Sequence, residues 1–167
     1  MDDRSSIHTQ ATDAGRFLDT GAKIYDLSDE FLVVCPKCSG RGVVTPVASD
    51  KSKISDQLFL PRRFVCMNCM HRADWAGKQI QIGAAADWYF KFPLWLKVPC
   101  CGETLWAYNS IHLETLEKYV AATLRERTKK GRNSFLSKLP KWIGLAKNRD
   151  EILRAIDKMK ERLNERI

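Results

Sequence analysis

The chain has 167 residues, of which 44% are apolar, and this share is enough for a hydrophobic core and argues against global disorder. The formal net charge is +8, and the excess lies in residues 125–167, where 14 Lys and Arg stand against 6 Asp and Glu. Such a basic segment favours nucleic acid or an acidic protein as partner, although a solvated helical surface has the same composition. The acidic start Met1-Asp2-Asp3 and the lack of a long apolar run predict a soluble, cytoplasmic protein without a signal peptide or membrane span.

The sequence divides into three parts, and together they predict an α+β fold. Residues 1–28 are polar and are expected to form a loose arm, with one turn of helix at 13–18. Residues 29–108 are expected to form an antiparallel β domain, because short β-type segments occur at 31–34, 43–45, 64–65, 79–82 and 105–108. Residues 109–167 are expected to form a basic region of about three helices.

Four cysteines stand in two closely spaced pairs, Cys35-Pro-Lys-Cys38 and Cys66-Met-Asn-Cys69. Two intervening residues let both thiolates of a pair point from one tight turn at a single ion. Residues 48–57 are polar and read as a loop, which takes up the long spacer between the pairs. The pattern predicts one Zn²⁺ held by four thiolates, and such a site has no open coordination position, so the metal is structural.

The two cysteine pairs resemble the zinc ribbon of the transcription-initiation-factor B type. Their order, followed by Pro99-Cys100-Cys101-Gly102 and a basic helical tail, also resembles small bacterial proteins known only as zinc-ribbon-containing proteins. The resemblance implies a zinc-stabilised β-ribbon in a bacterial protein. It implies no activity, because a shared small module says little about function.

Residues 88–98 show the clearest strand pattern, because every even position from Trp88 to Val98 is apolar. This alternation predicts a strand with its even face in the core. Its odd face would be wet and would present Tyr89, Lys91, Trp95 and Lys97. Pro93 cannot donate to a neighbouring strand, so the segment is expected to be an edge strand or two strands broken at the proline.

After residue 108 the apolar period changes from two to about 3.6, which indicates helix. Asn109 or Ser110 is expected to cap a helix with an apolar stripe from Leu113 to Leu124, ending at residues 130–133. Residues 134–147 are expected to form two short turns, because Leu139-Pro140 interrupts the pattern.

A third helix is expected to begin at Asn148, with Glu151 three residues later completing a capping box. It carries a narrow apolar seam, formed by Ile152, Ile156, Met159, Leu163 and Ile167. A seam of this width packs on one other helix, either in the same chain or in a second copy, and the second case would give a homodimer.

Two further cysteines, Cys100 and Cys101, have no obvious role. Adjacent side chains of a strand point to opposite faces, so one ion is not expected to bind both. One interpretation makes them a buried thiol and a turn thiol beside Gly102. The alternative makes Cys101 a reactive or metal-binding thiol, with His112 close in sequence.

The sequence supports two binding hypotheses more than an enzyme. The first is a nucleic-acid-binding accessory protein that uses the ribbon and the basic tail. The second is a protein-interaction module, an adaptor or a neutraliser of another protein such as a toxin. No phosphate loop, dinucleotide fingerprint or paired carboxylate points to catalysis, so the chain is not expected to be an enzyme. The candidate partner-binding residues are Arg41, Arg62, Arg63, Arg72, Tyr89, Lys91, Trp95, Lys97, Arg125, Lys129, Lys130 and Arg132.

Overall fold

A computed structural model describes residues 15–47 and 58–165, apart from the side chain of Arg132. The fold is α+β, as predicted. The strands of the described part are β1 (Arg16–Asp19), β2 (Phe31–Val34), β3 (Arg41–Pro46), β4 (Arg62–Cys66), β5 (Arg72–Trp75), β6 (Leu96–Cys100), β7 (Glu103–Ala107) and β8 (Leu124–Arg127). The α-helices are α1 (Ser110–Ala121), α2 (Lys141–Gly144) and α3 (Arg149–Asn164), and 3-10 turns lie at Ile24–Leu27, Lys130–Asn133, Leu136–Lys138 and Ala146–Asn148.

The main sheet is antiparallel, with strand order β2-β3-β4-β5. Along β4 the side chains of Arg62, Phe64 and Cys66 are buried, whereas Arg63 between them is exposed. Gly42 on β3 lies against the Phe64 ring, and a Cβ at this glycine would come within 2.2 Å of a ring carbon. This close approach is the physical reason for a glycine in the middle of the strand.

The segment 88–98 is not one strand, which corrects the prediction from alternation. The buried carboxylate of Asp87 accepts hydrogen bonds from the backbone N–H groups of Tyr89, Phe90 and Phe92, at 2.9, 2.8 and 2.7 Å. These bonds close a turn, and the regular strand β6 begins only at Leu96. The turn changes the phase of the chain, so Tyr89 points inward and is 4% exposed. The expected strand at 79–82 is likewise absent from the structure.

The helical half is built on the hairpin of β6 and β7. Helix α1 begins where predicted, and the Asn109 side chain caps it by accepting a hydrogen bond from the His112 backbone N–H at 2.9 Å. The interruption at 139–140 is confirmed, because one short turn ends at Lys138 and α2 begins at Lys141. The capping box at Asn148 is wrong: its side chain makes no cap bond, and Glu151 bonds instead to the backbone of Cys101.

The apolar seam of α3 is buried within this chain. Ile152, Ile156 and Met159 have no exposed surface and pack with residues of α1 and β6. These three residues are therefore already covered, and Leu163 is half-buried, which leaves little apolar surface there for a second copy. Ile167 lies outside the described residues.

The first strand holds the start of the described chain against the segment that follows α1. Strand β1 pairs in parallel with β8, with Phe17 opposite Arg125, so residues 16–19 are a strand rather than the expected turn of helix. Phe17 and Leu27 are buried, so the part of the predicted polar arm after residue 14 belongs to the core. Helix α1 ends at Ala121, well before residue 130, because the chain turns into β8. Of the described residues, none belongs to a helix long and apolar enough to cross a lipid bilayer.

Candidate metal centre and aromatic cavity

The first cysteine pair forms a tight turn between β2 and β3. The backbone N–H of Cys35 donates to the carbonyl of Gly40 at 2.8 Å, and Ser39 adopts a positive φ of 59°. The second pair forms a matching turn between β4 and β5. There the N–H of Cys66 donates to the carbonyl of His71 at 2.8 Å, and Met70 also has a φ of 59°. The two turns therefore share one backbone design.

Strand pairing brings the two turns together, since Gly42 and Cys66 are directly opposite each other in the β3–β4 register. The four sulfur atoms of Cys35, Cys38, Cys66 and Cys69 all lie within 4.8 Å of one another. The Cys35 and Cys69 sulfurs are 3.8 Å apart, and those of Cys38 and Cys66 are 3.5 Å apart. Four sulfurs converging in this way could hold a metal ion.

Backbone N–H groups also point at these sulfurs and favour the thiolate forms. Gly40 donates to Cys38 and Asn68 donates to Cys66, each at 3.4 Å. The Gly40 hydrogen bond is the main cause that lowers the pKa of Cys38 to about 6, from an ordinary value of 9.0. Hydrogen bonds to an ionised group stabilise the charged form, so they favour the Cys38 thiolate. At Cys69 the hydrogen bond with the His71 backbone is outweighed by the three neighbouring thiols and by burial, which raise the pKa of that thiol to about 12.

Two of the predicted partner-binding residues are buried and were assigned wrongly to the wet surface. Arg62 is 2% exposed, donates to the Ser28 carbonyl at 2.7 Å and lies over the Tyr89 ring at 4.4 Å. Burial lowers the pKa of this guanidinium below its ordinary value. It raises the pKa of Tyr89 to about 12. The pair is thus a core contact, and neither residue is available to a partner.

Of three more candidate residues, Trp95 and Lys97 lie against the end of α3, and Lys91 lies in the turn before β6. Trp95 is half-buried, its indole N–H donates to the Arg162 carbonyl at 3.3 Å, and the Arg162 guanidinium covers the ring at 4.4 Å. That cation–π contact occupies one face of the ring. Lys97 is half-buried, whereas Lys91 is exposed in the turn before β6.

Two of the predicted basic residues bind helix ends. Arg41 donates to the Leu163 carbonyl at 2.7 Å, near the end of α3. Arg125 donates to the Tyr119 and Gly144 carbonyls at 2.7 and 2.8 Å. Cations at the C-terminal ends of helices satisfy free carbonyls and complement the helix dipole, so both side chains have structural partners.

The remaining basic candidates are exposed. Arg63 makes a bidentate ion pair with Asp74, with N–O distances of 2.7 and 3.1 Å, and Arg72 projects from β5. Lys129 and Lys130 are exposed before and in the turn that follows β8. The side chain of Arg132 lies outside the described residues.

A cavity of about 430 Å³ opens beside this last turn, and sequence reasoning did not find it. Its aromatic wall consists of Trp106, Tyr108 and Phe135, and its aliphatic wall includes Ile82. The other lining residues are Lys23, Ile24, Tyr25, Gly83, His112, Asn133, Ser134, Lys138, Leu139 and Pro140. Trp106 on β7 and Tyr108 just after that strand are two positions apart, and this spacing is the local signal for the aromatic wall. Phe135 comes from a distant part of the sequence.

His112 is one of the buried polar residues that line the cavity. It is 2% exposed, and its Nδ1 accepts a hydrogen bond from the Tyr108 backbone N–H at 3.2 Å. Burial lowers the pKa of the imidazole to about 3, so the ring is neutral at pH 7. Since Nδ1 is the acceptor, the ring proton is on Nε2, and Nε2 has no hydrogen-bond partner among the described residues.

Cys101, the candidate reactive thiol, lies beside Cys100 and Glu151, far in sequence from the four-cysteine cluster. Its expected support from His112 is absent, because that imidazole is enclosed by Trp106, Tyr108 and Phe135.

No protein-family model, curated protein or solved structure matches this chain.

Proposed function

We propose that this chain is a zinc-stabilised accessory protein that binds single-stranded nucleic acid. The observation that carries the proposal is the cavity with an aromatic wall and with Lys23 and Lys138 among its lining residues. Proteins that bind single strands combine aromatic surfaces for the bases with basic residues for the phosphates. A volume of about 430 Å³ falls within the range of about 300–1,000 Å³ that is usual for small-ligand pockets, so the cavity has room for a base.

The four-cysteine cluster supports zinc as the resident metal. A tetrahedral ion with Zn–S distances of about 2.3 Å requires sulfurs about 3.8 Å apart. The separations of 3.8 and 3.5 Å are close to this requirement before any ion is considered. Four thiolates complete the coordination of zinc, so the ion would hold the two turns together and would take no part in chemistry. This agrees with the resemblance of the two turns to a zinc ribbon.

Charge around the cavity favours an anionic ligand. Lys130 is exposed and lies next to Gly21, with its Cβ 2.8 Å from the position of a Cβ built on that glycine. Lys129 precedes it and is also exposed. The Lys23 ammonium group donates to the Asn133 carbonyl at 2.6 Å, which holds a positive charge beside the lining of the cavity. These lysines would contact phosphates on either side of an inserted base.

Fluorescence anisotropy with a labelled 12-nucleotide single strand of mixed sequence tests the proposal. We expect binding that weakens steeply as salt increases, and weaker binding to a duplex of the same sequence, because its bases are stacked and paired. Lys138→Gln should lower the salt slope by about 0.7, the value for one phosphate contact on a single strand. Lys141→Gln changes an equally exposed lysine that does not line the cavity, and it should keep the wild-type slope.

Insertion of a base is tested by filling the cavity mouth. Ile82 lines the cavity and is 45% exposed, so Ile82→Trp should block insertion without disturbing the core. Ile111→Trp is the matched control, because Ile111 is 47% exposed and lies elsewhere. Salt-independent binding, or equal affinity of the Ile82 and Ile111 variants, would contradict the proposal.

The alternative is a protein-interaction module, an adaptor or a neutraliser of another protein such as a toxin. It is favoured by Met67 and Met70, which are 48% and 58% exposed on the second cysteine turn. Exposed methionines on a rigid support are typical of adaptable protein-binding surfaces. Affinity capture from native lysate distinguishes the two functions: an acidic protein retained after nuclease treatment, and lost with Met67→Ser/Met70→Ser, would favour this one.

A further inference from the structure

The tip of the β6–β7 hairpin has an unusual turn. Cys100 ends β6, Glu103 begins β7, and the two residues are paired, so Cys101 and Gly102 form a two-residue connection. Both have positive φ values, of 55° and 76°. Two-residue hairpins with this geometry normally place Asn, Asp or Gly at the first position. A cysteine there adopts a conformation that is unfavourable for residues with a Cβ, and such strain is typical of functional sites.

This turn brings two thiols together that strand geometry would separate. Neighbouring side chains of a strand point to opposite faces, but the left-handed Cys101 is no longer part of the strand. Its sulfur lies 3.6 Å from that of Cys100. Because Cys101 lies outside the strand, strand geometry does not prevent the two thiols from binding one ion.

A carboxylate from another element completes the group. Glu151 is in the first turn of α3, and its Oε1 accepts a hydrogen bond from the Cys101 backbone N–H at 2.6 Å. The two sulfurs and a carboxylate oxygen all lie within 4.8 Å of one another. Three potential ligands from two elements therefore converge on one point.

We propose that Cys100, Cys101 and Glu151 form a second metal site, which binds a thiophilic divalent cation such as Zn²⁺ or Cd²⁺. Thiolate and carboxylate are both ligands of Zn²⁺ in proteins, and a site with three protein ligands leaves the fourth position for water or an external ligand. This distinguishes it from the four-cysteine cluster, which is filled by its own sulfurs. Both thiols lose their protons on binding, so each ion bound releases up to two protons to solvent.

The surroundings of the three ligands leave a path from solvent and would let a bound ion connect two elements of the fold. Cys101 is half-buried and Glu151 is exposed, so the group can be reached from solvent, whereas Cys100 is 3% exposed and is anchored in the core. An ion at this point would tie the tip of the β6–β7 hairpin to the start of α3. No residue is shared with the four-cysteine cluster, so the two sites can be emptied separately.

Cadmium titration of the full chain tests the proposal. The thiolate-to-Cd²⁺ absorption band in the ultraviolet reports coordination, and elemental analysis after gel filtration counts the ions. We expect two equivalents of Cd²⁺ per wild-type chain, the second weaker than the first. Cys101→Asn keeps a residue suited to the left-handed turn and removes the thiol, so it should bind one equivalent.

Two carboxylate variants make the test specific. Glu151→Gln keeps an acceptor for the Cys101 N–H and removes the charge, and should weaken the second equivalent at least about tenfold. Glu103→Gln is the matched control, since Glu103 is exposed at the same hairpin tip and is not one of the three ligands. A single equivalent in the wild type, or two equal equivalents in both the wild type and Cys101→Asn, would overturn the site. Nucleic-acid binding should be unchanged in all of these variants.

Discussion

The two hydrophobic cores of the molecule differ in composition and in support. The aromatic core lies under the main sheet and contains Phe31, Phe64, Trp88, Tyr89 and Tyr108 together with Cys35 and Cys66. The aliphatic core lies between the β6–β7 hairpin and the helices and contains Leu96, Leu105, Leu113, Leu116, Ile152, Ile156 and Met159. The Phe31 ring meets Trp88 and Tyr108 edge-to-face, both at 5.1 Å.

The difference indicates which core would gain more from the metal ion proposed above. The strands of the main sheet have four to six residues, and small sheets of this kind usually need a cross-link or a metal. The aliphatic core is backed by helices of 12 and 16 residues, which bury a continuous apolar stripe. We therefore expect the aromatic core to depend on the ion and the aliphatic core to be stable by packing alone.

The largest loss of stability is expected when the metal ion proposed at the four-cysteine cluster is removed. Cys66→Ser, or a strong chelator, should cost more than about 5 kcal/mol and unfold the main sheet, because metal binding to such sites contributes directly to folding. Hydrogen exchange should show loss of protection in β2–β5 while amides of α1 and α3 stay protected. Cys101→Asn is the control and should leave the sheet protected; simultaneous loss of protection in both halves would contradict the comparison.

The second-largest loss of stability is expected from a substitution in the aliphatic core. Met159 is fully buried there, so Met159→Ala should lower the free energy of unfolding by about 2–5 kcal/mol through lost contacts and a cavity. Urea denaturation followed by circular dichroism measures this change. Retention of metal by the native variant would show that the two cores are supported independently, whereas loss of the ion from the folded protein would show that they are not.

Local pattern predicted one class of features well. The cysteine pairs, the Asn109 cap and the break at 139–140 each depend on a few neighbouring residues, and the structure contains the corresponding turns, cap and break. The burial of Arg62 could also have been predicted from the sequence, because Arg62, Phe64 and Cys66 share one face of β4. The sequence analysis placed Arg62 on the surface because of its charge, although the alternation along β4 puts it on the buried face.

Other features depend on distant residues and could not be read locally. Tyr89 points inward because Asp87 gathers three backbone N–H groups, and alternation alone does not reveal such a turn. The cavity needs Phe135 to meet His112 across 23 residues, with ring centroids 5.2 Å apart. Likewise, Glu151 reaches Cys101 only because α3 packs on β6.

A smaller effect on stability is expected from the protonation of His112, which lies beside the cavity and among aromatic residues. The folded-state pKa is about 3, below the ordinary value of 6.5, so below pH 6.5 the unfolded chain binds a proton that the folded chain does not. Stability from this group is present above pH 6.5 and is lost as the pH falls, by about 2 kcal/mol at pH 5.

Substitution by an uncharged residue isolates that contribution. His112→Gln removes the titrating ring, so the difference in unfolding free energy between wild type and variant should shrink by about 2 kcal/mol from pH 7.5 to pH 5. Urea denaturation at both pH values, with zinc in the buffer, measures it. Parallel pH profiles for the two proteins would show that the imidazole is not buried in the neutral form.

The smallest effect is expected on the outer face of the main sheet, at the ion pair of Arg63 and Asp74. Both side chains are largely exposed, at 46% and 63%, and exposed pairs contribute only about 0–1 kcal/mol because water and salt screen them. Arg63→Ala should therefore barely change the unfolding free energy, which thermal denaturation can check. The same variant can test binding separately from stability, because the Arg63 side chain is exposed whereas Arg62 is buried on the inner face. If Arg63→Ala weakened nucleic-acid binding without altering stability, the outer face of β4 and β5 would join the cavity as part of the binding surface.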